Sequence, residues 1–375
     1  MTDLSVQLSN CAGFAVDLGE INACSASNVS RLLPAISLPA ESSGLIATVA
    51  PSLEKFCSAV GAALNAEATA LGALGDNLST AATQFGSTDE TIAAAISATS
   101  NDVAAGTAQV ADGASYGVTR FGGLQLPSLP AVPDNPSTVR QTVESVIGLV
   151  SVYDERLSVA IGVQPTVDLL SPLVGDWEAI QAIGKRIGLL GINDYVTSQN
   201  LINGTNWLQG TWSGEAAESF GFATKNFGET VGGRSVDLDV VSKVLEYGGP
   251  YIERLVYNQA ADLCGKILQP MTFLGATFPL GAWAPHINNP INETMKSEIT
   301  GALDALQVAA TTRQGEIQAA VEKISSALDY APGRAVPAFN SGEFDLPEKI
   351  AIDIGTRKFG YGDNMWWEDR VDSVF

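Results

Sequence analysis

The chain has 375 residues, an apolar fraction of 46% and only 16% charged residues, with a formal net charge of −21 and a pI near 4.3. That length can bury two cores, and that charge excludes nucleic acid as a partner, since phosphate contacts need clustered Lys and Arg. It also disfavours anionic lipid: Arg31, Lys55 and Arg120 are the only basic residues in the first 120 positions.

The start, Met-Thr-Asp-Leu-Ser-Val-Gln-Leu, has neither the basic nor the apolar region of a signal peptide. No apolar run is long enough to span a membrane. Leu4, Leu8, Cys11, Ala15 and Leu18 fall at alternating spacings of four and three, one stripe of an amphipathic helix. Asn22 to Pro51 reads as a connector, with Pro34, Pro39 and Ser42-Ser43-Gly44. A second stripe, Leu53, Cys57, Val60, Leu64, Leu71, Leu74, Leu78 and Phe85, completes an antiparallel hairpin. After Phe85, Ser87 and Glu90 form a capping box that would start a separate alanine-rich helix over Thr91 to Ala98.

Residues 101–136 are rich in Gly, Ser, Thr and Pro and read as a linker between an N-terminal hairpin (1–100) and a helical domain (137–331). That domain opens near Ser137 with Val143, Val146, Val150, Tyr153 and Leu157. Another helix starts at Gly175-Asp176-Trp177 with Asp176 as cap, and an irregular one spans Asn193 to Leu208. Beyond it, three helices are predicted: Glu215 to Val231, Leu238 to Tyr247, and one from Pro250. Phe273 to Ile287 is an apolar loop, open between internal packing and contact with a membrane or a partner. A long stripe, Ile291 through Met295, Ile299, Leu303, Leu306, Ala310, Ile317, Val321, Ile324 and Leu328, has Asn289 as its cap. The tail, 332–375, is irregular or β-containing, with Ile350, Ile352 and Ile354 alternating as in a strand. The expected fold is all-α: an elongated bundle of antiparallel helical hairpins.

Chemistry is sparse. His286 is the only histidine and lies in a Pro-rich apolar loop. Cys11, Cys24, Cys57 and Cys264 lack metal-ligand spacing. Cys24 and Cys57 flank the first turn symmetrically, so a Cys24–Cys57 disulfide is the pairing to test in an oxidising destination; packed thiols are the alternative. No phosphate loop, dinucleotide fingerprint or nucleophile elbow is present. The expectation is a non-enzyme without cofactor or metal.

The most ordered local signal is Trp207 to Phe220, centred on Trp212-Ser213-Gly214. Gly214 permits a tight reversal, Ser213 is a capping residue type, and Glu215 and Glu218 suit the first turn of a helix. Trp212 supplies a large apolar plug for a helix–helix joint. This stretch resembles the Trp-x-Gly motif of type VII (ESX) secretion proteins of actinobacteria. The first hundred residues resemble the small EspC-like or PE-like hairpins of that system, and the later helices its WXG or PPE-like modules. The family's export signal, Tyr-x-x-x-Asp/Glu after the second helix, is matched here by Phe85-Gly-Ser-Thr-Asp89, with Phe in place of Tyr. The turn of the first hairpin carries Ser42-Ser43-Gly44 where a Trp-x-Gly would stand.

The resemblance implies a secreted or surface substrate, or a secretion-associated structural protein, exported folded without a signal peptide. Its partners would be the secretion ATPase, a cytosolic chaperone and copies of itself. Two other functions stay open: a cell-surface oligomeric scaffold or pore-like protein, and the trafficking module of a toxin lacking its effector. The composite signal requires the Trp212 elbow and Phe85 to lie close together.

Overall fold

The computed structural model describes residues 6–101, 118–134, 138–336, 338–350, 358–361 and 364–368, with side chains described for all of these except 88–101, 358–361 and 364–368. The fold is all-α, with two small antiparallel β-hairpins. The described helices, in chain order, are α1 (Leu8–Leu32), α2 (Ala50–Asn101), α3 (Thr138–Val150), α4 (Asp154–Ile161), α5 (Ala179–Gln209), α6 (Glu215–Ile267), the single turn α7 (Leu280–Trp283) and α8 (Glu293–Leu328). Strands β1 (Pro270–Phe273) and β2 (Ala276–Pro279) form one hairpin; β3 (Lys358–Tyr361) and β4 (Asn364–Glu368) form the other.

The chain divides into two compact units: 1–34, 59–130 and 189–239 make the first, and 35–58, 131–188 and 240–375 the second. This differs from the division at 101–136. Helices α2, α5 and α6 each contribute to both units, so compactness does not follow the Pro/Gly-rich stretch.

Unit 1 is built from α1 and the parts of α2, α5 and α6 in its ranges. In α1 the buried stripe is Leu8, Cys11, Phe14, Leu18 and Ile21, with Phe14 rather than Ala15 at its centre. The expected connector is shorter than Asn22 to Pro51: loop and 3₁₀ turns occupy 33–49, and residues 22–32 are instead the second half of this helix. Its inward polar residues are paired: Asn22 Nδ2 donates to the Ala68 carbonyl (3.1 Å), and Asn28 Nδ2 to Pro127 O (3.2 Å) and Asn193 Oδ1 (3.1 Å). A polar side chain with a partner costs little to bury, so the helix continues where hydropathy falls.

The same logic joins other segments. Helix α2 runs unbroken through Gly86 and Ser87, so no new helix starts at Ser87. Helix α5 is one element because Asn193, Asp194, Thr197, Ser198 and Asn200 are all buried along it. The three helices expected beyond the elbow are one, α6. Its glycine pairs are close-approach points: a Cβ on Gly232 would meet Ser198 Oγ at 2.8 Å, and one on Gly249 would meet Gln181 Cγ at 2.4 Å. Pro250 sits inside this helix.

Segment 118–130 belongs to unit 1 as an extended strap along α1 and α5. Thr119 N donates to Ser9 O (3.0 Å), and Gln125 N to Asn200 Oδ1 (2.9 Å). Arg31 Nη2 donates to Leu129 O (2.7 Å). Fully buried Asp17 accepts from Phe121 N (2.8 Å) and is paired with Arg120, which also reaches Glu20 (2.6 Å).

The buried apolar residues of unit 2 include Ile46, Phe56, Val143, Val146, Trp177, Ile180, Ile252, Ile299, Leu303 and Ile324. The single helix expected near Ser137 is split into α3 and α4 by a 3₁₀ turn at Ser151–Tyr153, and Gly162 (φ 74°) ends α4. Helix α8 keeps its expected stripe, but its cap is Asn292, whose side chain accepts from Met295 N (2.8 Å), not Asn289. Ile291 therefore precedes the helix and is exposed. Ile350 is outside any strand, and Ile352 and Ile354 lie outside the described residues.

All four cysteines are free thiols, so the Cys24–Cys57 disulfide is corrected. Extension of α1 to Leu32 moves Cys24 away from the turn into mid-helix. There its thiol donates to Pro127 O (3.6 Å), while Cys57 donates to Ile36 O (3.3 Å). Burial raises the pKa of both thiols.

Candidate functional site

The candidate site is the α5–α6 elbow with the α1 and α2 surfaces of unit 1. The last turn of α5 closes with Gly210 N to Trp207 O (3.2 Å) and Thr211 N to Leu208 O (3.0 Å). Gly214 takes φ 107°, a value that side-chain-bearing residues resist, and its carbonyl accepts the first α6 bond, from Glu218 N (3.0 Å). Gly214 therefore holds the cap position of α6, one residue after Ser213.

The chain start clamps this turn. Val6 pairs with Trp212 as an isolated antiparallel bridge, Gln7 N donates to Thr211 O (3.1 Å), and Asn10 Nδ2 donates to Thr211 Oγ1 (3.0 Å). Trp212 is 5% exposed and stands 5.7 Å from Phe220, centroid to centroid. Phe220 and Trp207 each meet the fully buried Phe14 ring edge-on at 6.4 Å. Phe14 lies against Gly204, where a Cβ would come within 2.2 Å of the ring. Trp212 Nε1 is buried with no acceptor among the described residues.

Phe85 is half-buried and packs against this same apolar cluster, whose members include Cys11, Phe14, Leu78, Ala82, Leu208 and Trp212. The structure thus brings Phe85 and the Trp212 elbow to one cluster. Asp89 falls one helical turn further along the unbroken α2 backbone; its side chain lies outside the described residues.

Unit 1 also holds a buried ionic group that the sequence does not announce. Arg234 of α6 is paired with both Asp194 of α5 (2.6 Å) and Glu67 of α2, all nearly or fully buried. One guanidinium faces two carboxylates, and Glu67 Oε1 and Asp194 Oδ1 lack partners among the described residues. Burial pushes Glu67 up to about 7 against the pull of Arg234. Burial also raises Asp194. The one sequence signal was a vacancy: the α2 stripe skips from Leu64 to Leu71, and Glu67 fills the gap.

Unit 2 holds a second buried carboxyl pair beside a cavity of about 400 Å³ lined by Asp134, Asp176, Glu178 and Arg186. Glu178 Oε1 accepts from Val139 N (2.8 Å) at the start of α3, and burial pushes its pKa up to about 7. Arg186 is committed to the Ala35 and Val132 carbonyls (2.9 and 3.1 Å) and to Asp134.

Among the described residues, no three His, Cys, Asp or Glu are grouped to hold a metal. No described helix is long and apolar enough to cross a membrane. No protein-family model, curated protein or solved structure matches the chain.

Proposed function

We propose that the chain is a substrate or secretion-associated structural protein of a type VII (ESX) system, exported folded to the cell surface or beyond. The observation that carries this reading is the packing of Phe85 against the apolar cluster that Trp212 closes. Phe85 and Trp212 are far apart in sequence and share a cluster only in the folded chain. A receptor that reads both would therefore read folded protein. Continuity of α2 supports the second half of the signal, since an aromatic and an acid one turn apart share a helix face.

The roles follow from position. Trp212, Ser213 and Gly214 fix the elbow, and Phe85 and Asp89 present the signal beside it. The partners are the secretion ATPase and a cytosolic chaperone, with self-association after export. The chain acts as cargo or scaffold rather than as an enzyme. The test compares culture medium and surface fractions of the native host with and without its type VII ATPase. Export lost with the ATPase is expected; export that survives its removal, or no export from the intact host, contradicts the proposal.

A further inference from the structure

We propose that the β1–β2 hairpin is a lipid-interface anchor that inserts Leu274 and Phe278 into a charge-neutral bilayer surface. The first observation is in the sequence. The chain carries a net charge of −21, yet no residue from Ile267 to Asn292 is Asp, Glu, Lys or Arg. At the root of this stretch the charges are tied together: Lys266 and Arg313 both sit on Asp262, at 2.9 and 2.8 Å.

The turn itself is the second observation. Leu274 and Gly275 both take positive φ, 55° and 79°, the pair of values a tight two-residue hairpin turn requires. Asn or Gly suits the first of these positions, and a leucine there is strained. Leu274 is also 72% exposed. It costs stability through both its backbone and its exposure. Phe278 is 52% exposed on the neighbouring strand.

The rest of the hairpin is suited to leaving water. Pro270↔Pro279 through Phe273↔Ala276 pair the backbone groups that face each other, and the outer edges keep the hydrated headgroup layer as partner. The outward hydroxyls of Thr272 and Thr277 bond each other at 2.7 Å, which lowers the cost of desolvating them. Phe273 and Phe278 meet the Trp283 ring edge-on at 5.3 and 5.4 Å, and Trp283 Nε1 donates to Met271 O (3.0 Å), so the tip is held stiffly from behind.

Shape and charge select the occupant. A Cβ on Gly275 would meet nothing within 4 Å, so the turn has open space beside it, and Leu274 is exposed there. A neutral tip on a strongly acidic chain fits zwitterionic headgroups and is repelled with the rest of the chain by anionic ones. Two inserted side chains give weak, reversible binding.

The test is flotation of the purified full-length protein with phosphatidylcholine vesicles, and with phosphatidylserine-containing vesicles at low ionic strength. Wild type is expected to float with the neutral vesicles and less with the anionic ones. Leu274→Asp is expected to lower partitioning about tenfold or more, the effect of one leucine left in water. Leu274→Asn, a residue suited to positive φ, is expected to lose binding while melting no lower than wild type. The proposal is overturned by absence of flotation with neutral vesicles, by binding stronger to anionic vesicles, by Leu274→Asn floating like wild type, or by a protein partner that captures the tip while vesicles do not.

Discussion

The elbow at 210–214 and the hairpin at 270–279 both follow a long helix, both turn on a glycine at positive φ, and treat their large side chains in opposite ways. At the elbow, Trp212 is 5% exposed and meets Val6 and Phe220 in a cluster that also holds Phe14. At the hairpin, Leu274 is 72% exposed and the glycine beside it has open space around it. A glycine reversal flanked by apolar residues does not decide burial. What decides it is whether another element of the same unit is there to cover it. Helix α1, with Val6 and Gln7 before it, covers the elbow. The hairpin rests on Trp283 through Phe273 and Phe278, and its tip stays exposed.

The contrast breaks most readily at Trp212. Trp212→Ala is expected to destabilise the protein by about 3–5 kcal/mol, because the indole leaves a cavity that fixed helices cannot close. Equilibrium denaturation measures it, and a loss below about 1 kcal/mol would mean the plug is not structural. Nearly as large is Arg234→Met, about 3 kcal/mol or more, since Glu67 and Asp194 would keep their burial and lose their shared cation. The same measurement on the Arg234→Met, Glu67→Gln, Asp194→Asn triple variant is expected to recover part of that loss.

Smaller effects sharpen the comparison. Gly214→Val is expected to cost about 1–3 kcal/mol, because φ 107° is closed to a β-branched residue. Acidification gives a signed test. In the folded state Glu67 titrates near 7, above its ordinary 4.5, so between those values the folded protein holds a proton that the unfolded chain lacks. Its contribution to stability therefore grows as pH falls from about 8 towards 5 and is lost as pH rises through 7. Glu67→Gln is expected to flatten that part of the stability–pH profile relative to wild type. The smallest effect belongs to the tip, and its sign is opposite: Leu274→Asn should raise stability by about 0.5–1 kcal/mol, because Asn tolerates the positive φ that strains leucine.

These results also mark what the sequence could carry. Helix periodicity identified the buried stripe of α8 from Met295 on and most of that of α2, where Phe56 rather than Cys57 is the buried residue and Leu74 and Phe85 are half-buried; the Trp212 motif marked the elbow. Periodicity misplaced ends wherever burial involved polar atoms. Asn28 and Asn193 read as loop or surface residues, and nothing local says that they bond each other within a core. Gly232-Gly233 and Gly248-Gly249-Pro250 read as breaks because isolated helices avoid them; packing reverses that preference where Ser198 and Gln181 come close. At the site, Phe85 and Trp212 were legible as large apolar residues at marked positions. The Arg234 group was not, since charged residues within a helix ordinarily face water. The hairpin was visible only as an uncharged apolar stretch, because strand pairing over four residues leaves little periodicity.

The central claim is that Phe85 and Asp89 of α2 are read together with the Trp212 elbow on a folded protein. Export by the native host of wild type, Phe85→Tyr, Phe85→Ala and Asp89→Ala, each normalised to the soluble protein remaining in the cell, tests it most directly. Wild type and Phe85→Tyr are expected to be exported equally, and both alanine variants to fall at least about tenfold, the effect of losing one buried contact or charge-assisted bond at a recognition surface. Export of both alanine variants at the wild-type level would contradict the account.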